Sequence, residues 1–291
     1  MAVAAFLGLG VMGHPMAGHL ATAGHQVTVY NRTATRADHW VEQHEGRVGS
    51  TPAEAAADAD AVFMCVGNDD DVRQVALGAD GALAAMAPGT VLVDHSTASA
   101  ALARELHAVC AEAGVGFVDA PISGGQSGAE QGILTIMAGG EPAHFAAVEP
   151  VMAAYSQART LIGPAGSGQL TKMVNQIAIA GLIEGLSEAL AFGQRAHLDM
   201  DKVLDTITHG AAGSWYMANR GATMVADEFD FGFAVEWMQK DLGICLDEGE
   251  RLDADLSVTR LVASYYDELA EQGGARWDCS ALIRRLSAPA D

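Results

Sequence analysis

AVAAFLGLGVMGHPMAGHLATAGHQVTVYN, residues 2–31, is the stretch on which the fold turns. It starts as a short apolar run at 2–7. Gly8, Gly10 and Gly13 follow at once in the spacing Gly-x-Gly-x-x-Gly. Helical periodicity then carries Met16, Leu20 and Ala21, Gly24 ends that helix, and 27–30 reads as a second strand. Three glycines alone are a weak signal; between a strand and a helix that leads to another strand they are a strong one. They permit a tight turn and a close approach of pyrophosphate to the backbone. The helix N-terminus adds unpaired N–H groups and the positive end of its dipole. Gly8, Leu9, Gly10, Val11, Met12 and Gly13 are therefore the expected phosphate-binding segment of a dinucleotide site.

The end of the second strand bears on which dinucleotide. NAD sites carry Asp or Glu there for the ribose hydroxyls. Here the residues are Asn31, Arg32 and Thr33, with Arg36 one turn further on. A neutral Asn31 removes repulsion against a 2′-phosphate, and the Arg32 guanidinium can grip one in a fork. The expected cofactor is NADP(H), with NAD(H) the alternative.

The alternation continues beyond this unit. Thr51-Pro52 opens a short helix, 61–66 is a buried strand, and Asn68 begins a capped helix. Segments 91–94, 115–119, 133–138 and 160–162 read as strands, with helices over 98–114 and from Pro142. This predicts the α/β class, with a doubly wound, mostly parallel Rossmann sheet over 1–162. Ligands of such sheets bind beyond the carboxyl ends of the strands. Val66, Gly67, Asn68, Val72 and Thr97 are accordingly expected at the cofactor. Ser123-Gly124-Gly125 offers a hydroxyl and open backbone N–H groups to a small carboxylate; a plain β-turn would read the same.

Strand signals stop at 163. GPAGSGQLTKMVNQIAIAGLIEGLSEALAF, residues 163–192, is apolar nearly all round and predicts a long interdomain helix over about 166–193. Lys172 lies in its first turns, with Asn175 and Gln176 on the same face. Lysine is expensive to bury and scarce in this chain, the others being Lys202 and Lys240, so Lys172 is the candidate catalytic group. Segments 199–209, 214–225, 233–253, 257–272 and 278–286 complete an all-helical domain over 163–291. Trp215 and Trp237 are expected in its core.

Composition narrows the function classes. A net charge of −21 argues against nucleic acid and anionic membrane surfaces as partners. Glu184 and Glu188 interrupt the long apolar helix, which is read as no membrane span. The four cysteines form no CxxC pair and are expected as reduced thiols in a cytoplasmic protein; the ten histidines show no metal-binding spacing. The N-terminus lacks a basic flank and reads as a strand, not a signal peptide.

Four segments in order carry a family resemblance: GLGVMGHPMAGHL at 8–20, DAPISGGQSGAEQGILTIMAGG at 119–140, GSGQLTKMVNQ at 166–176 and KDLGICLDE at 240–248. The chain resembles the β-hydroxyacid dehydrogenases, a group of 3-hydroxyisobutyrate dehydrogenases and glyoxylate, succinic semialdehyde and tartronate semialdehyde reductases, and most of all the first. The resemblance implies hydride transfer between a nicotinamide cofactor and a small carboxylate carrying a hydroxyl or aldehyde. It implies Lys172 as general acid–base, Ser123, Gly124 and Gly125 on the substrate carboxylate, and Asn175 as a polar partner that orients substrate. Thr97 would lie near the nicotinamide. Phe231, Lys240 and Asp241 would belong to a C-terminal segment over the site, with Lys240 toward the cofactor and Phe231 and Asp241 toward the substrate. No metal is needed, and a homodimer or homotetramer is implied. Competing readings are a reductase of imines or ketones and an inactive NADPH-binding interaction module.

Overall fold

The computed structural model describes residues 1–286. Its internal contacts divide the chain into two compact units, Met1–Lys172 and Met173–Asp291.

The first unit is built on a nine-stranded sheet. Six strands form its parallel part: β1 (Val3–Leu7), β2 (Gln26–Tyr30), β3 (Arg47–Val48), β4 (Ala61–Met64), β5 (Val91–Asp94) and β6 (Gly116–Asp119), in the order β3-β2-β1-β4-β5-β6. Chain order reverses on either side of β1, which makes its carboxyl end the switch point where such sheets open a crevice. Beyond β6 the sheet turns over. β8 (Leu134–Gly140) runs antiparallel to β6 and to the two-residue β7 (Ile122–Ser123), and pairs in parallel with β9 (Ser156–Gly163).

Helices cover both faces, and β1 shows why its sequence is apolar throughout. Ala4 and Phe6 belong to one core with Met16, Leu20 and Trp40, while Ala5 and Leu7 belong to the other with Leu92, Leu102 and Leu106. Successive side chains point to opposite faces, so a strand covered on both sides alternates cores instead of polarity. α1 (Gly13–Thr22), α2 (Ala34–Gln43), α3 (Pro52–Ala56), α4 (Asp69–Leu77), α5 (Ala100–Glu112), α6 (Gly125–Gln131) and α7 (Pro142–Met152) make the connections. Thr51, Asn68 and Ser99 cap α3, α4 and α5 with side-chain oxygens.

α8 (Ser167–Arg195) starts in the first unit and continues in the second. By internal contacts the first turns of α8 up to Lys172 go with the first unit, because they are hydrogen-bonded to β6 and to the loop after β5. By length and composition alone α8 could cross a membrane. Its acidic Glu184 is held by Arg285 at 3.5 Å, and Ile183, Leu186 and Leu190 are buried in the second unit's own core.

That second unit adds α9 (Met200–Thr208), α10 (Trp215–Val225), α11 (Val235–Arg251) and α12 (Ser257–Leu269), with shorter helical turns over Ala270–Gly274 and Cys279–Leu286. Val235, Met238, Leu242, Tyr266 and Leu282 are fully buried around α8. The aromatic expectation was too simple: Trp215 is 49% and Trp237 37% exposed. Trp215 stacks its ring on the Arg220 guanidinium, 5.1 Å to the ring centre, and packs edge-on with Tyr216. All four cysteines are free thiols, and burial pushes Cys110 up to about 12.

Candidate active site

The carboxyl end of the parallel sheet gathers most of the expected residues. At the switch point the three glycines do different jobs. Gly8 sits at φ +99°, and a side chain there would run into the Cys65 carbonyl. A side chain at Gly13 would collide with the Gly8 carbonyl. These two glycines are demanded by the turn itself. At Gly10 an added Cβ meets nothing within 4 Å. Backbone packing gives no reason for glycine there; a ligand lying against the backbone does. No side chain caps the first turn of α1, whose N-cap is Met12. An uncapped helix start beside an open glycine fits a pyrophosphate.

Asn31 at the end of β2 is committed to the turn. Its Oδ1 accepts from Leu9 N at 2.9 Å and its Nδ2 donates to Thr33 O at 3.0 Å. Leu9 therefore does not present an N–H to a ligand while this bond stands, and its side chain is in the core. Val11 is 61% exposed beside it. Arg32 is far out in solvent and donates from Nη1 to Asp71 Oδ1 at 2.8 Å; Thr33 is exposed. Val66 N donates to Ser96 Oγ at 2.9 Å, Gly67 is half-buried, and exposed Asn68 caps α4. Val72 does not join them. It is fully buried in the core with Leu7 and Met64, so it supports the crevice from beneath and has no surface to offer a cofactor.

Next along the sheet, β5 and β6 end in a registered pair of buried carboxyls, Asp94 and Asp119. Burial raises Asp94 to about 7, against the pull of hydrogen bonds from Ser96. Beside it His95 is fully enclosed. Its Nδ1 lies 2.7 Å from Ala120 O and so carries the hydrogen, leaving Nε2 to accept from the Tyr155 hydroxyl at 2.9 Å. Desolvation lowers its pKa to about 4, which keeps it neutral and structural.

Asp119 organises the start of α8. Its Oδ1 accepts from Gly166 N at 2.8 Å and its Oδ2 from Gln169 N at 2.9 Å. A carboxylate on orphan amides of a helix start matches the dipole. Burial still pushes the Asp119 pKa up, with these bonds opposing. Gln169, 1% exposed, uses its side chain too: Oε1 accepts from Ala98 N at 3.1 Å and Nε2 donates to Ser96 O at 2.8 Å. One turn later comes Lys172, 8% exposed. Sequence pattern alone does not single out Asp119 or Gln169. A polar residue three positions before Lys172 on an apolar helix was the available signal.

Ser123 is half-buried at the end of β7, and the glycines after it start α6, not a simple turn. Gly124 and Gly125 are exposed at φ +131° and +62°, and a Cβ on Gly125 would meet nothing within 4 Å. This again leaves backbone open to an approaching group.

In the second unit, Gln176 Nε2 donates to Asp241 Oδ2 at 2.6 Å, Lys240 Nζ lies 3.0 Å from Asp241 Oδ1, and Asn175 Nδ2 donates to Gln176 Oε1 at 2.9 Å. Asp241 is thus a buried carboxylate with both oxygens engaged inside the unit, a position that suits holding Gln176 and Lys240 better than touching substrate. Phe231 lies partly exposed under the Arg220 guanidinium, 4.8 Å from the ring centre.

A family model for the NAD binding domain of 6-phosphogluconate dehydrogenase matches residues 3–163, and one for the NAD-binding of NADP-dependent 3-hydroxyisobutyrate dehydrogenase matches 166–286. An uncharacterized oxidoreductase of Shewanella frigidimarina is 56% identical over 98% of both chains. The 2-hydroxy-3-oxopropionate reductase of Escherichia coli is 36% identical over 97% of this chain and 96% of its own. The chain belongs to the β-hydroxyacid dehydrogenase family. A solved member of the family, 3-hydroxyisobutyrate dehydrogenase of Mycobacterium tuberculosis with L-serine, superposes with a TM-score of 0.88 at 31% identity, over 99% of this chain and all of that one. As a β-hydroxyacid dehydrogenase the protein is an oxidoreductase that binds a pyridine nucleotide and acts on a hydroxyl group or the matching carbonyl.

Proposed function

We propose that this enzyme interconverts a small β-hydroxy carboxylate and its semialdehyde, prefers NADP(H) to NAD(H), and uses Lys172 as general acid–base. The observation that carries the reading is Lys172 itself. A lysine placed almost wholly inside the protein, on a turn fixed by Asp119 and Gln169, is too costly to be incidental.

Gly10 and the uncapped start of α1 would hold the pyrophosphate, and Arg32 the 2′-phosphate, exchanging Asp71 for the stronger anion. The cofactor supplies or accepts the hydride. Ser123 with the open backbone at Gly124 and Gly125 would bind the substrate carboxylate, and Asn175, three residues on from Lys172, would orient the reacting group. Lys172 would then give a proton to the carbonyl oxygen in reduction and take it back in oxidation. Two relatives point to this substrate class: one reduces 2-hydroxy-3-oxopropionate by name and another was solved with L-serine, both carboxylates oxygenated at the β-carbon.

A cytoplasmic homodimer or homotetramer belongs to the same reading. Val174, Leu182 and Phe192 leave apolar surface open along one helix, and sedimentation of the purified chain as a monomer would remove that part.

The deciding test is a steady-state panel of glyoxylate, succinic, methylmalonate and tartronate semialdehydes and L-serine, each with both cofactors. Turnover of methylmalonate semialdehyde, tartronate semialdehyde or L-serine, faster with the phosphorylated cofactor, is expected; turnover confined to glyoxylate or succinic semialdehyde would move the substrate class off the β-carbon. Faster reduction of a cyclic imine than of any carboxylate would overturn the reading.

A further inference from the structure

The clamp formed by Gln169 is not required by the chemistry above, yet it ties that chemistry's parts together. The end of β5 and the loop after it read Asp94-His95-Ser96-Thr97-Ala98, and all of these are buried except Thr97. Gln169 bonds the carbonyl just before Thr97 and the N–H just after it, Ser96 O at 2.8 Å and Ala98 N at 3.1 Å. A side-chain amide here imitates the edge of a neighbouring strand and holds Thr97 flat between two fixed peptides. A carboxamide carries a donor and an acceptor side by side at every ordinary pH, whereas a carboxyl does so only when protonated. The same residue is fastened through its backbone, by Gln169 N to Asp119 Oδ2 at 2.9 Å. Its helix then delivers Lys172 one turn further along, on the same face.

We propose that Gln169 is a positioning residue that sets the distance between Thr97, the residue expected near the nicotinamide, and Lys172, the proposed proton donor. This rests on the function proposed above. Proton and hydride must reach one carbonyl group from two separate parts of the protein, so their relative placement governs the rate. A displacement of about 1 Å in such a geometry can cost roughly a hundredfold. The alternative, that Gln169 only satisfies buried backbone groups, would affect stability and leave saturated turnover unchanged.

Two variants separate these. Gln169→Met keeps the volume and removes both bonds; Gln169→Glu keeps the shape, and only its protonated form restores the donor–acceptor pair. For each, kcat, KM, NADPH affinity by fluorescence titration, the primary isotope effect with 4-deuterated NADPH and the melting temperature are measured. The expected result is a kcat lowered by roughly tenfold to a hundredfold, NADPH affinity within about twofold of wild type, and a larger isotope effect as hydride transfer becomes slower than release steps. For Gln169→Glu, the ratio of variant to wild-type kcat should rise as pH falls and the buried acid takes up its proton. Wild-type kcat in whichever variant folds, or losses of kcat that merely track losses of NADPH affinity, would overturn the clamp. The two failures are distinguishable. A wild-type enzyme inactive on the whole panel sinks the proposed function, whereas an active wild type with unchanged Gln169 variants sinks the clamp alone.

Discussion

The two ends of α8 are one helix held in two ways. Its first turns are fixed by directed polar bonds. Asp119 takes two backbone amides, Gln169 grips both sides of Thr97, and Lys172 is kept inside. Its later turns are fixed by undirected apolar contact, with Ala180, Ile183, Leu186 and Leu190 sunk in a core with Met238, Leu242 and Tyr266. Hydrophobic burial supplies free energy without specifying position to a fraction of an ångström, and cores tolerate repacking. Buried hydrogen bonds add modest net stability, but a misplaced partner is costly. The difference teaches where this enzyme needs stability and where it needs placement.

Substitutions at each end should therefore fail differently. The largest effect is expected from Lys172→Ala. It should lower kcat by at least about a hundredfold, the usual size of an acid–base contribution, while NADPH affinity measured by titration stays close to wild type. Retention of more than about a hundredth of wild-type kcat would move the proton chemistry elsewhere. At the other end, Ile183→Ala should cost about 2–5 kcal/mol of stability by denaturant titration, with kcat per folded molecule unchanged. If Ile183→Ala altered kcat and left stability intact, the division of labour along α8 would collapse.

The remaining effects are smaller. Arg32→Ala should weaken NADPH binding by roughly tenfold, the scale of one charged hydrogen bond, and NADH binding hardly at all. Equal losses for both cofactors would remove the 2′-phosphate from Arg32. The last prediction concerns pH. Asp94 has its folded pKa raised to about 7 from 3.8, so the native state holds an extra proton between those values and this group's contribution to stability is lost as pH rises through the window. His95 has its pKa lowered from 6.5 to about 4, so the unfolded state holds the extra proton there and stability rises with pH between those values. The two slopes oppose each other in the wild type. Asp94→Asn leaves His95 alone, and its melting temperature should climb more steeply between about pH 4 and 6.5 than that of the wild type. An unchanged profile would mean that Asp94 does not titrate in this range.

What was legible in the sequence was what is local. The glycine turn, the caps Thr51 and Asn68 and the strands around them lie within a few residues of their partners, and each is where the pattern placed it. α2 leaves little pattern in the sequence, because it buries only Ala37 and Trp40 and is mostly polar elsewhere. β7 is too short to show a period, and the Gly-rich start of α6 looks like a turn. Lys172 stood out by chemical contrast with its neighbours. Gln169 did not, because its side-chain partners lie 71 and 73 residues away and no spacing rule connects them. Asp119 and Gly166 are 47 apart. Val72 lies close in sequence to the cofactor-side strand end but sits one turn into α4, where the helix points it into the core, so proximity in sequence does not make it a contact.

The open position at Gly10 supplies something useful at the bench. Its backbone does not need glycine, since φ is not positive there and a methyl group would touch no atom of the protein. Gly10→Ala should thus reach normal abundance and melt normally in the absence of nucleotide, yet refuse the cofactor sterically. A strain carrying that allele would contain the whole protein with its catalysis switched off. Comparison with a deletion strain would then separate what the molecule does by reacting from what it does by being present.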